Sequence, residues 1–124
     1  MTRPIHFELM VDDPESAAAF YADVFGWDVK KWSGPMDYWL VTTGDEETPG
    51  IGGGIARSEL PGTPARTVNI IGVPSVDDYV ARVTAAGGVT MLPKMVVPGV
   101  GWLAYCMDPA GIVFGMMQED PAAG

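Results

Sequence analysis

His6-Phe7-Glu8-Leu9-Met10-Val11-Asp12-Asp13 and, 62 residues further on, Val68-Asn69-Ile70-Ile71-Gly72-Val73-Pro74-Ser75 are two copies of one pattern. Each copy is a strand-like stretch that runs into a residue suited to capping a helix. A helix-like stretch follows and stops at glycine, in Phe25-Gly26-Trp27 the first time and Gly87-Gly88-Val89 the second. Val11 falls on Val73, Ala19 on Ala81 and Gly26 on Gly88 without a gap. Few letters are shared, so the repeat rests on the order of element types. A duplicated strand-helix-strand unit predicts one half-barrel made twice, with a cavity between the halves.

Working outward, both helices carry start signals and an apolar stripe. Asp13 caps the first, with Pro14 at the first helical position, where its missing N–H costs nothing. Ala17, Phe20, Tyr21 and Val24 then recur at helical spacing and predict the buried face. Ser75 caps the second, with Asp78 three residues later as a capping-box variant, and Val76, Tyr79, Val80 and Val83 repeat the spacing. Strands are expected at 6–11, 27–32, 38–43, 53–57, 67–73, 89–92, 101–107 and 112–118. Asp108-Pro109-Ala110-Gly111 reads as a tight turn before the last of them. The order is β-α-β-β-β, twice. Module one is expected over about 3–57, a linker with Pro61-Gly62 and Pro64 over about 58–66, and module two over about 67–118.

Composition narrows the function. Apolar residues are 48% of a 124-residue chain, enough for a single domain with a real core, and no run is long enough for a membrane-spanning helix. Seven basic against sixteen acidic side chains give a net charge of −9. That opposes binding to nucleic-acid backbones or anionic membranes. The first residues lack an apolar signal core, and the lone Cys106 cannot form an internal disulfide, so a cytoplasmic protein is expected.

The element order resembles the vicinal oxygen chelate (VOC) superfamily, which includes glyoxalase I, extradiol dioxygenases, fosfomycin-resistance enzymes and bleomycin-binding proteins. The resemblance runs from about residue 3 to 118. It is carried by the His6–Asp13 stretch, by Phe20-Tyr21-x-x-Val24-Phe25-Gly26-Trp27, by Asp108-Pro109-Ala110-Gly111 and, less specifically, by Val97-Pro98-Gly99-Val100-Gly101-Trp102. Within the superfamily the chain is similar to a glyoxalase-related bacterial branch. The resemblance implies an α+β fold in which two βαβββ modules form a cupped, barrel-like mixed sheet with helices on the outside. It also implies a homodimer.

The superfamily's metal site takes one ligand from each of four strands. By the resemblance these positions fall on His6, near Gly53 or Gly54, on Val68 and on Gly115. Glycine and valine offer no ligating side chain, so no metal cofactor is expected, and His6 is the one inherited ligand if a metal binds. Glu8 lies two residues from His6 and shares its face of the strand. Ring-cleaving relatives carry a tyrosine ten residues before the last-strand ligand, and Tyr105 stands ten before Gly115. His6, Glu8 and Tyr105 are therefore the expected catalytic cluster, with His6 the only histidine for acid-base work near neutral pH. Trp39, Gly53, Gly54, Trp102 and Met117 are the expected ligand pocket. Asn69 should face away from Val68, and Cys106, in an apolar strand, should be an inert thiol.

Three functions compete. The first is a metal-free small-molecule-binding protein whose His6/Glu8 pocket can support acid-base catalysis beside a carbonyl. The second is a divalent-metal-dependent lyase or dioxygenase with relocated ligands. The third is a drug-sequestering protein of the bleomycin-resistance type.

Overall fold

The computed structural model describes residues 2–58 and 64–124. The elements run β1 (Pro4–Val11), α1 (Pro14–Phe25), β2 (Asp28–Lys31), β3 (Tyr38–Thr42), β4 (Gly53–Arg57), β5 (Arg66–Gly72), α2 (Val76–Ala85), β6 (Val89–Val97), β7 (Gly101–Met107) and β8 (Val113–Glu119). The 62-residue offset carries the start of β1 onto the start of β5 and the start of α1 onto the start of α2. Residues 59–63 of the expected linker, Pro61-Gly62 among them, lie outside the described residues. No helix among the described residues is long and apolar enough to cross a membrane.

Two compact units make up the chain: His6–Val68, and Met1–Ile5 with Asn69–Gly124. In the first, the strand order is β2-β3-β4-β1, antiparallel except for the parallel pair of β4 with β1. In the second, β6-β7-β8-β5 repeats that order, again with one parallel pair, β8 with β5. Each unit is thus a mixed sheet with one helix, and the class is α+β, as expected.

Local signals explain the element ends. The Asp13 carboxylate accepts the Ser16 N–H at 3.2 Å, and the Ser75 hydroxyl accepts the Asp78 N–H at 3.1 Å, each satisfying a donor left over at a helix start. Gly26 closes α1 in the left-handed conformation, φ 70°. The Asp108 carboxylate accepts the N–H groups of Ala110 and Ile112, both at 2.9 Å, which locks the turn into β8. Strand β6 extends beyond its expected end through Pro93 to Val97, with two register irregularities against β7. It ends its row, and an end strand tolerates a proline that donates nothing to the ladder.

In the first unit, Trp39, Val41 and Ile55 are buried together, with Phe7, Leu9, Val11, Ala17, Ala18, Trp27 and Val29 packed against them. This corrects the expected phase of α1. Its buried side is Pro14, Ala17, Ala18 and Tyr21, whereas Phe20 and Val24 are 56% and 52% exposed. Ala17-Ala18-Ala19-Phe20-Tyr21 is apolar on every side, so spacing alone fits two phases. The small alanines let the helix approach the sheet, and Tyr21 stacks on Trp27 with centroids 5.2 Å apart. In the second unit Val73, Val76, Ala104, Cys106 and Met116 form the core, with Tyr79, Val80 and Val83 of α2 against it. There the expected helix face is the observed one.

Candidate functional site

Strand alternation divides the first unit's sheet into two faces. Phe7, Trp39, Val41 and Ile55 face α1. Residues of opposite parity, His6 and Glu8 of β1, Tyr38 of β3 and Gly54 of β4, lie on the other face. Glu8 stands directly opposite Gly54 in the β1–β4 ladder, and β3 pairs with the far side of β4. Tyr38 and Glu8 are therefore two strands apart. They meet only because nothing projects from Gly54: a Cβ there would collide with the Tyr38 phenol, its hydroxyl included.

Across that gap runs a hydrogen-bonded row. The Tyr38 hydroxyl donates to Glu8 Oε2 at 2.9 Å, and His6 Nε2 lies 2.8 Å from the Tyr38 hydroxyl oxygen. A phenol has one proton, and here it points to the carboxylate. The oxygen therefore accepts from His6 Nε2–H, which leaves the lone pair of neutral imidazole on Nδ1. Glu8 is 4% exposed, the one buried charged residue among those described. Burial holds His6 below the usual imidazole pKa, because desolvation disfavours the imidazolium. Two rings frame the phenol: the His6 ring stacks on it at 6.4 Å, and Trp32 meets it edge-on at 6.5 Å.

Of the residues expected from sequence, His6, Glu8 and Gly54 come together. Gly53 serves the other face, where a Cβ would lie 2.6 Å from the Phe7 ring. Trp39 is part of the core beneath α1, with Lys31 Nζ 5.4 Å from the centre of its ring. Trp102, in the second unit, packs against the α2 core. Its indole donates to Asp120 at 3.1 Å, and Lys94 lies over its ring. Met117 pairs with Leu103, and Tyr105 is buried opposite Gly115. Tyr38 is the polar residue that sequence reading missed, having placed it only at the start of the strand expected at 38–43. The glycines at 52–54, which leave room above their strand for a neighbouring side chain, were the one available signal. Cys106 is buried, and desolvation raises its thiol pKa against a smaller pull from a Thr90 hydrogen bond.

The second unit repeats the arrangement without the polar groups. Ile70 stands opposite Gly115 in β5–β8 and Tyr105 opposite it in β7–β8; a Cβ on Gly115 would collide with Ile70 and lie 3.2 Å from the Tyr105 ring. Ile70 thus takes the place that Glu8 has in the first unit. Of the inherited metal positions, Gly54 and Gly115 offer no ligating side chain; the space beside Gly54 is filled by Tyr38, and that beside Gly115 by Ile70 and Tyr105. Among the described residues no three His, Cys, Asp or Glu side chains gather that could hold an ion.

Comparison with known proteins agrees with this architecture. The family model described as Bleomycin resistance protein-like N-terminal matches residues 3–44. A candidate glyoxylase of Mycobacterium bovis is 30% identical over 116 residues, 92% of this chain and 43% of that protein. The chain thus spans less than half the length of this curated relative. Streptomyces coelicolor methylmalonyl-CoA epimerase in complex with 2-nitronate-propionyl-CoA superposes with a TM-score of 0.70 at 13% identity, over 100% of this chain and 99% of that one. The Mn(II)-bound glyoxalase from Novosphingobium aromaticivorans gives 0.61 at 24% identity, over 99% of this chain and 40% of that one. With its duplicated βαβββ order, the chain belongs to the vicinal oxygen chelate superfamily of glyoxalase-like and bleomycin-resistance-like proteins.

Proposed function

We propose that this protein binds a small carbonyl compound and moves a proton at the carbon beside the carbonyl, with His6 as the base and without a metal. The observation that supports this is the His6–Tyr38–Glu8 row. A general base must be unprotonated before it can act, and burial keeps His6 in that state near neutral pH. The row places a carboxylate behind the imidazole, so the proton taken up has a negative partner. Solved structures of the same fold include an epimerase with a bound acyl-CoA analogue, so a small carbonyl ligand suits the architecture.

Chelator-treated protein should exchange α-protons of some member of a panel of small ketones, 2-oxo acids and thioesters with D2O, followed by proton NMR. His6→Gln should lower that rate by roughly 100-fold or more, the usual contribution of a positioned base. The rate should fall in acid, as His6 protonates, and the fall should lie below the ordinary imidazole pKa of about 6.5 because burial lowers it. Exchange no faster than in protein-free buffer across the panel would remove the proposal.

A further inference from the structure

We infer that Tyr38 is the positioning residue that makes His6 and Glu8 one acid-base unit, its hydroxyl carrying protons between them across the gap at Gly54. The inference deepens the proton-transfer reading and rests on it for its catalytic meaning. Both hydrogen bonds of the row, at 2.8 and 2.9 Å, end on the Tyr38 hydroxyl. A phenol that donates to one neighbour and accepts from the other can pass a proton along without moving.

The proton count closes. When the substrate C–H breaks, its electron pair stays on the substrate as an enolate and its proton goes to His6 Nδ1. The Nε2 proton passes to the Tyr38 oxygen, and the Tyr38 proton passes to Glu8 Oε2. Imidazole, phenol and carboxylic acid are then all neutral, and the negative charge has moved from Glu8 to the substrate. No imidazolium is left in the half-buried site, where desolvation would oppose it. Reversal returns a proton to the carbon. Gly54 belongs to the device, because any side chain there would push the phenol off the line between its partners.

The single histidine makes the test direct, since the 15N signals of one imidazole report its tautomer at fixed neutral pH. Native protein should show a protonated Nε2 and a bare Nδ1. Glu8→Gln should redistribute the His6 tautomers, because a phenol no longer held by a carboxylate can turn and donate to the ring. In a Tyr38→Phe background the same Glu8→Gln change should leave the His6 signals where they were. A native protein with Nδ1 protonated would overturn the relay, and this outcome needs no variant to fold. An equal response to Glu8→Gln with and without the Tyr38 hydroxyl would overturn it too. The expected tautomer and coupling, found in a protein that exchanges no α-protons, would uphold the relay while removing the catalytic proposal.

Discussion

Gly54→Ala is expected to destabilise the protein by about 2–4 kcal/mol, the range for forcing a group into a filled site and breaking a buried polar network. The new methyl group would collide with the Tyr38 phenol, which must then leave the line between His6 and Glu8. Glu8 would lose the Tyr38 hydrogen bond in a place where it is 4% exposed, and a hydrogen bond to a buried carboxylate is costly to break. Chemical denaturation of a double-mutant cycle separates the causes. With Tyr38→Ala already in place, the added methyl has room, and Gly54→Ala should then cost about 1 kcal/mol or less. Additive costs in the cycle would mean that Gly54 is needed for the strand itself and not to seat the phenol.

Ile55→Ala, one residue away, should cost more stability and less function. Ile55 is 0% exposed and pairs with Leu9 of β1 on one side and Trp39 of β3 on the other. Removing its side chain leaves a cavity under α1, and such truncations cost about 2–5 kcal/mol. Its side chain lies on the helix face, opposite to Tyr38, so the His6 signals of the folded variant should match those of the native protein. Loss of under 1 kcal/mol, or a displaced His6 tautomer at full folding, would show that the two faces are not divided as described.

These neighbouring residues also show what was legible in the sequence. Period-two alternation and the 62-residue repeat are local signals, and they located the strands, the helices and the shared face of His6 and Glu8. The partner of that pair was not local. Tyr38 reaches Glu8 from two strands away: Glu8 stands opposite Gly54, while Tyr38 stands opposite Ala56 and lays its phenol diagonally over Gly54. Gly53 and Gly54 read as ligand-pocket positions; in the structure they seat aromatic rings, Phe7 on one face and Tyr38 on the other. Trp39 was an attractive pocket residue because it is aromatic, but its odd parity sends it beneath α1. The phase of α1 was ambiguous for a different reason. An unbroken apolar run at 17–21 carries no directional information, and only packing against Phe7, Leu9 and Trp27 chooses between the two fits. Burial of Cys106, by contrast, followed from its strand alone.

We propose that this member of the superfamily works from an imidazole, a phenol and a carboxylate, without a metal. Elemental analysis of natively purified protein, prepared without chelator and expressed as moles of metal per chain, tests it most directly. A value near zero is expected, with no thermal stabilisation by added manganese, zinc, nickel or iron(II). Near-stoichiometric metal that disappears in His6→Ala would contradict it and return His6 to the role of a ligand.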